Sequence, residues 1–165
     1  MIFPGHIASA YLAAHYGRLD ERAALIAAVA PDIVDKSVRY LLWLTPNGRI
    51  PLHSLLVAAG LSLLVWLLFR RRPAIVLGWL AGYATHLLAD VITDAIHWGP
   101  HFEYLLWPLL PAQTSRYLTI YSRLLDQNLL AFALEAIVTA WGAAVFWRVW
   151  RARRAAGQPA SDLGH

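Results

Sequence analysis

Three ionisable side chains interrupt an apolar stretch that is otherwise suited to a bilayer. His86, Asp90 and Asp94 recur at intervals of four residues, so a helix would carry all three on one face. An imidazole nitrogen and a carboxylate oxygen at this spacing can bind the same cation. In a soluble helix the same residues would be read as a solvated ion pair. Ionisable groups inside an apolar span are functional candidates, and we therefore expect a site here.

Other histidines and aspartates occur at the ends of neighbouring apolar segments, where each alone fits a helix cap or a turn. The orientation derived below brings six such groups from four segments to the same end of the protein. Nitrogen and oxygen donors without thiolates suit zinc, manganese or iron. A second ion would be accommodated if Asp90 bridged the two. The converging residues are His6, Asp32, Asp35, His53, His86 and Asp90.

One further acid lies inside an apolar segment. Glu135 is about two turns into the last such segment, where it could be a metal ligand, a general base or an acceptor for a histidine N–H. An ion pair with a neighbouring helix explains it equally well. We expect Asp94, His97 and His101 to lie beyond the core of the site.

The composition excludes several classes of protein. Of the 165 residues, 59% are hydrophobic and only 15% are charged, an apolar excess that a core of this size cannot bury. Such a chain is not intrinsically disordered. The absence of cysteine excludes disulfide scaffolds, thiolate metal sites and cysteine nucleophiles. The class that remains is that of small membrane proteins.

Three apolar segments approach the length of a membrane-spanning helix, which takes about 20 residues. They are residues 74–92, 129–150 and, at the short end of the range, 52–69. The earlier segments 7–16 and 23–34 are too short to span and predict a helical hairpin that is re-entrant or interfacial. The predicted fold is an all-α membrane protein with about three transmembrane helices plus this N-terminal hairpin.

Clusters of arginine give the predicted orientation. Residues 70–72 and 148–154 directly follow apolar runs, as positive-inside anchors do, and this placement disfavours nucleic-acid binding. We therefore expect a multi-pass inner-membrane protein with a cytoplasmic basic C-terminus and a site near the outer face. Residues 36–47 and 94–123 have the aromatic content of interfacial segments. One domain is expected over residues 1–154, with a disordered tail at 155–165.

Several sequence motifs together resemble those of the YdjM-like inner-membrane metal-dependent hydrolases, over residues 1–150. The most specific of them is the His-x-x-x-Asp element of His86 and Asp90 within its glycine and leucine setting. The others are the Pro-Asp-Ile-Val-Asp run from Pro31, Arg49 followed by His53-Ser54-Leu55, and Leu106-Trp107-Pro108.

The resemblance implies an activity and a ligand set. That family is grouped with zinc-dependent phospholipase C and P1 nuclease, which implies a divalent metal, zinc first, in one or two copies. The implied ligands are His6, Asp32, His53, His86 and Asp90, with Asp35 as a further candidate. Our candidate catalytic residues are Glu135, Arg49 and Asp35. Expected partners are the bilayer and a phosphoester or lipid substrate, which a metal-activated water would cleave, and oligomers are left open. At the mouth of the site, Arg49 could hold a phosphate oxygen.

Two other functions are compatible with the sequence. A non-enzymatic membrane scaffold would use the polar residues to join its helices and would bind no metal. A small ion or proton transporter would use His86, Asp90 and Glu135 as a path, although three spans are few for one. We rank the hydrolase first, the scaffold second and the transporter third.

Overall fold

Five α-helices make up most of the protein. The computed structural model describes residues 3–98, 102–111 and 128–157, and no strand occurs among them. A short 3-10 helix, Glu103–Leu106, lies in the connection before the last α-helix. The α-helices are α1 (Phe3–Gly17), α2 (Glu21–Tyr40), α3 (Leu55–Phe69), α4 (Pro73–Trp98) and α5 (Leu129–Gly157). The predicted all-α class is confirmed.

Among the described residues, two helices, not three, are long and apolar enough to cross a membrane. They are α4, over Pro73–Ile96, and α5, over Leu129–Ala156. The prediction of a third span was wrong because α3 has only 15 residues, a length of about 22 Å against a hydrocarbon core of about 30 Å. Its helix starts late because the side chain of Ser54 accepts a hydrogen bond from the Val57 N–H and caps it there.

The second arm of the N-terminal hairpin is longer than predicted. The helix α2 begins at the Asp20 cap and continues through Pro31 to Tyr40, six residues beyond the predicted end of the arm at Val34. A proline inside a helix removes one backbone hydrogen bond, and the burial of Pro31 in the bundle accompanies that loss here. Asp32 and Asp35 therefore lie one turn apart on a helix, and the alternative of an aspartate turn is wrong.

The hairpin extends along α4. At one end, the backbone N–H of Asp20 donates to the carbonyl of Ala74, 3.2 Å away. At the other end, His6 Nε2 lies 3.3 Å from Asp90 Oδ1. Residues 74 and 90 of a helix are separated by about 24 Å at 1.5 Å per residue. The hairpin thus accompanies α4 over most of its apolar length.

Small residues allow α2 and α4 to pack closely. A Cβ atom at Gly82 would overlap the carbonyl oxygen of Ala24, and one at Gly78 would crowd the carbonyl of Asp20. Such contacts between small residues bring helix backbones together in membranes. The close approach sets the polar end of α2 directly opposite the polar end of α4.

The last helix packs mainly on α1 and ends later than predicted. Val145 of α5 joins Tyr11 and Leu12 in a small apolar cluster. The helix continues to Gly157, three residues into the predicted disordered tail, because Ala155 and Ala156 favour helix. The remainder of that tail, residues 158–165, lies outside the described residues.

Candidate metal centre

Three buried histidines meet where α1, α4 and the segment before α3 come together. His6, His53 and His86 are 1%, 0% and 0% exposed. The rings of His6 and His86 stack with their centroids 4.0 Å apart. The Nε2 atoms of His53 and His86 lie 3.0 Å from one another. Three residues far apart in sequence therefore share one small polar volume.

Two carboxylates complete this cluster, and each faces two histidines. Asp90 places Oδ2 3.3 Å from His53 Nε2 and Oδ1 3.3 Å from His6 Nε2. Asp32 places Oδ1 3.6 Å from His53 Nε2 and Oδ2 4.0 Å from His6 Nε2. The structure thus brings together all five residues that the sequence analysis proposed as metal ligands.

The donor atoms form two overlapping groups with the spacing of a coordination shell. One group is His6, His86 and Asp90, and the other is Asp32, His53 and His86, with donors within 4.8 Å of one another. An ion with tetrahedral bonds near 2.1 Å separates its donors by about 3.4 Å. The distances from His53 Nε2 to its three neighbours, 3.0 to 3.6 Å, bracket that value.

Several ring nitrogens in the cluster lack hydrogen-bond partners. Within the described part of the chain, neither ring nitrogen of His6 nor Nδ1 of His86 makes a hydrogen bond. Leaving buried polar atoms unsatisfied costs roughly 1–3 kcal/mol each. A cation would satisfy the nitrogen lone pairs that face the cluster. A mixed imidazole and carboxylate donor set fits zinc, manganese or iron.

Asp35 stands behind His53 and fixes its ring. Its Oδ2 lies 2.7 Å from His53 Nδ1, and its two oxygens accept the backbone N–H groups of Leu52 and His53 at 2.9 and 3.1 Å. Because Nδ1 faces this carboxylate, it keeps a proton, and Nε2, which faces the cluster, is the nitrogen that would bind a metal once its own proton is lost. The structure places Asp35 as a support for His53, outside both groups of ligand atoms.

The surroundings of the cluster favour positive charge. Burial lowers the pKa of His53, but its contacts with Asp32, Asp35 and Asp90 outweigh burial and raise that pKa to about 10. Burial raises the pKa of Asp32, but His53 and the Lys36 ammonium outweigh burial and hold that pKa below its usual range. A site that stabilises a protonated imidazole in this way also attracts a metal cation.

Arg49 lies beside the cluster and is held on two sides. Its guanidinium pairs with both carboxylate oxygens of Asp94, at 2.7 Å for the Nη2–Oδ1 contact, and lies over the ring of Tyr104 at 4.9 Å. Nη2 is also 3.7 Å from Asp90 Oδ2. The sequence analysis placed Asp94 beyond the core, and its spacing of four from Asp90 was the signal that it belongs to the same face.

One other predicted site residue, Glu135, has a described side chain. Glu135 is buried on α5 but is in neither group of ligand atoms among the described residues. The side chains of His97 and His101 are outside the described part of the structure, so the predictions for these two residues stay predictions. Lys36 was missed as a site residue, although its Nζ lies 2.6 Å from Asp32 Oδ2. The spacing of four residues between Asp32 and Lys36 could have revealed that contact.

Comparison with known proteins gives one match. A family model described as "YdjM inner membrane protein" matches residues 1–157. A search of curated proteins and a search of solved structures returned no match. The two long apolar helices are compatible with an inner-membrane location. Since the match covers nearly the whole sequence, this chain belongs to the YdjM inner membrane protein family.

Proposed function

We propose that the protein is a membrane-embedded, metal-dependent hydrolase that cleaves a phosphoester, with a phospholipid or another membrane-derived phosphoester as the leading substrate. The observation that carries the proposal is the set of donors at 3.0 to 3.6 Å around His53 Nε2. The likeness to zinc-dependent phospholipase C and P1 nuclease, drawn from sequence motifs alone, suggests the reaction.

The proposed ligands are the five residues of the cluster: His6, Asp32, His53, His86 and Asp90. Zinc is our first candidate because imidazole and carboxylate donors suit it. One or two ions fit the proposal, since Asp90 and Asp32 each face both His6 and His53. A divalent ion held there would supply a more acidic water and polarise a phosphoryl oxygen.

The charge of the cluster supports a divalent ion. The cluster and its immediate neighbours include four carboxylates and two side-chain cations. Lys36 pairs with Asp32, and Arg49 approaches Asp90 and Asp94. Asp35 contacts His53. An imidazole that binds a metal must be neutral, and with every imidazole neutral this set has a formal charge of −2. Buried carboxylates in excess are unfavourable unless they are paired or bind metals. A single divalent cation neutralises the set.

The remaining residues would prepare the site for a phosphoester. Asp35 keeps the proton of His53 on Nδ1 and thereby directs Nε2 inward. Arg49 already forms an ion pair with Asp94, but its guanidinium has further N–H donors that could orient a phosphate oxygen. Glu135, buried on α5, is our candidate proton acceptor.

We further propose that the C-terminus is cytoplasmic and that the site lies near the outer face. The cluster is at the opposite end of α4 from the arginines at residues 70–72. Exposed apolar side chains follow α2 near the same end as the site, at Leu41, Leu42, Trp43 and Leu44, as expected beside lipid. A reporter fused after Ala155 should signal from the cytoplasm, and a periplasmic signal would reverse the orientation.

The first experiment measures bound metal. Wild-type protein is purified in detergent without chelators beside His86→Ala and a control, His15→Ala, and analysed by plasma mass spectrometry. His15 belongs to α1 but pairs with Glu21, not with the cluster. We expect one or two equivalents of zinc or manganese in wild type and control, and loss of the metal in His86→Ala. A folded wild type without metal would favour the scaffold or transporter.

The second experiment tests hydrolysis. Zinc-loaded protein is incubated with short-chain phosphatidylcholine in mixed micelles, and with a chromogenic phosphodiester, while product release is measured. We expect release by wild type and His15→Ala, and none by His86→Ala. In Glu135→Gln the metal should stay bound while turnover falls by about 100-fold or more. Stoichiometric metal without release from either substrate would contradict the hydrolase and leave the metal site standing.

A further inference from the structure

The chain has a single lysine, and it lies against a proposed metal ligand. Of its 14 lysine and arginine residues, all but Lys36 are arginines. Lys36 follows Asp32 by one turn of α2 and places Nζ 2.6 Å from Asp32 Oδ2. The carboxylate is 4% exposed and the lysine side chain 25% exposed. One end of this ion pair is therefore inside the cluster and the other reaches its rim.

The ammonium neutralises a carboxylate that a metal would also bind. It pairs with Oδ2 of Asp32, while Oδ1 of the same carboxylate faces His53 Nε2 at 3.6 Å. Asp32 Oδ2 is also the oxygen that faces His6, with 4.0 Å to His6 Nε2. A divalent ion held between these atoms would lie within a few ångströms of Nζ and repel it. The lysine ammonium is a point charge on a flexible stem, so it can leave without unfolding α2.

The second cation beside the cluster is held differently. Arg49 is bound to both oxygens of Asp94 and stacked on Tyr104, and its side chain is 12% exposed. Arg49 can therefore keep its charge neutralised by Asp94 whether or not a metal is present. Arg49 also approaches the proposed ligand Asp90, at 3.7 Å, but its nearest counter-ion is Asp94. Of the two cations, Lys36 is the one whose nearest counter-ion is a proposed metal ligand and whose side chain is more exposed.

We propose that Lys36 is a replaceable counter-cation, which pairs with Asp32 in the metal-free protein and is released by the metal to bind the anionic group of the substrate. The released ammonium remains at the rim of the site, one helical turn from a ligand, within reach of a phosphoryl oxygen. This inference rests on the metal site of the proposed function and assigns one residue to substrate recognition.

Metal affinity provides the first test. Zinc is titrated into wild type, Lys36→Met and the charge-preserving Lys36→Arg in competition with a chromophoric chelator. Because no ammonium competes for Asp32, we expect Lys36→Met to bind zinc about fivefold more tightly than wild type. Lys36→Arg should resemble wild type. Equal or weaker zinc binding by Lys36→Met would show that the lysine merely positions Asp32 and would overturn the proposal.

The single lysine makes a second, direct test feasible. An amine-reactive reagent is applied to wild type carrying one reference lysine appended after His165, and the two sites are quantified by peptide mass spectrometry. Zinc should raise the labelling of Lys36 severalfold relative to the reference, and inorganic phosphate added afterwards should reverse the increase. Unchanged labelling of Lys36 with zinc bound would overturn the proposal for Lys36 and leave the metal site standing. A wild type that binds no zinc would refute the metal site itself.

Discussion

The two helices α2 and α3 differ in a way that reverses the rule for soluble proteins. The apolar helix α3 has a single buried residue, Ala58, and displays its leucines and Trp66 on the surface. The more polar helix α2 buries eight residues. These are Ala23, Ala24, Ala27, Ala28, Pro31, Asp32, Asp35 and Arg39.

This inversion shows what each helix packs against. Large apolar side chains that face outward suit a lipid environment, where they gain nothing by burial against other helices. Small and charged side chains that face inward suit close backbone packing and an internal polar site. The α2–α4 interface therefore determines the structure of the site, whereas α3 contributes little buried packing. Substitutions at matched positions on these helices test the difference.

The largest effect is expected from adding one methyl group at the α2–α4 contact. In Gly82→Ala the new Cβ would overlap the Ala24 carbonyl, whereas at Gly60 on α3 nothing lies within 4 Å of an added Cβ. We expect Gly82→Ala to lower the free energy of unfolding by at least about 3 kcal/mol, and Gly60→Ala to leave it unchanged or raise it by about 0.5–1 kcal/mol. Denaturation in micelles, followed by tryptophan fluorescence, measures both. Equal stability of the two variants would remove the distinction between the helices.

A matched pair of leucines should show a smaller difference. Leu87 on α4 is 8% exposed and packs with Tyr83 and Ala58, whereas Leu68 on α3 is 67% exposed. Leu87→Ala should cost about 2–4 kcal/mol and Leu68→Ala less than about 0.5 kcal/mol in the same unfolding experiment. A large loss in Leu68→Ala would mean that α3 contacts a further protein surface.

The support of His53 by Asp35 is tested by Asp35→Asn. An amide can still accept from Nδ1 but carries no charge, so zinc affinity should fall about 10- to 100-fold. The control is Glu21→Gln on the same helix, an acid that contacts His15. Chelator competition measures both affinities. If Asp35→Asn bound zinc with wild-type affinity, Asp35 would not be what orients the imidazole of His53.

The smallest effect concerns the pair of Arg49 and Asp94. A double-mutant cycle with Arg49→Met and Asp94→Asn, measured without metal, should give a coupling of about 1–2 kcal/mol, because both side chains are mostly buried. The single variants should each lose stability, and the double variant should recover part of the loss. Additive effects would indicate that the two charges are stabilised by other neighbours.

Much of the site was predictable from local spacing. The interval of four between His86 and Asp90, inside an apolar helix, is a signal that needs no tertiary information. His6, Asp32 and His53 could be joined to it once the segments had been oriented by their arginines. The contacts of Lys36 and Asp94 were missed because both also fit solvated or interfacial positions, and only the packing of α2 and α4 decides between the two.

The ends of the helices were less predictable. Hydropathy predicted that the apolar segment of residues 52–69 begins at Leu52. The backbone N–H groups of Leu52 and His53 instead donate hydrogen bonds to Asp35, and the helix begins after Ser54. Pro31 suggested a boundary, yet α2 continues through it. Both outcomes depend on partners that are distant in sequence, which periodicity does not reveal.

The five proposed ligands come from four separate segments, so a metal can bind them all only when those segments have assembled. Binding energy at such a centre is also folding energy, equal to about 2.7 kcal/mol when free metal exceeds the dissociation constant 100-fold. The stability of the bundle would then report the metal supply of the compartment that its site faces. A cell starved of that metal would hold a looser bundle, open to membrane proteases.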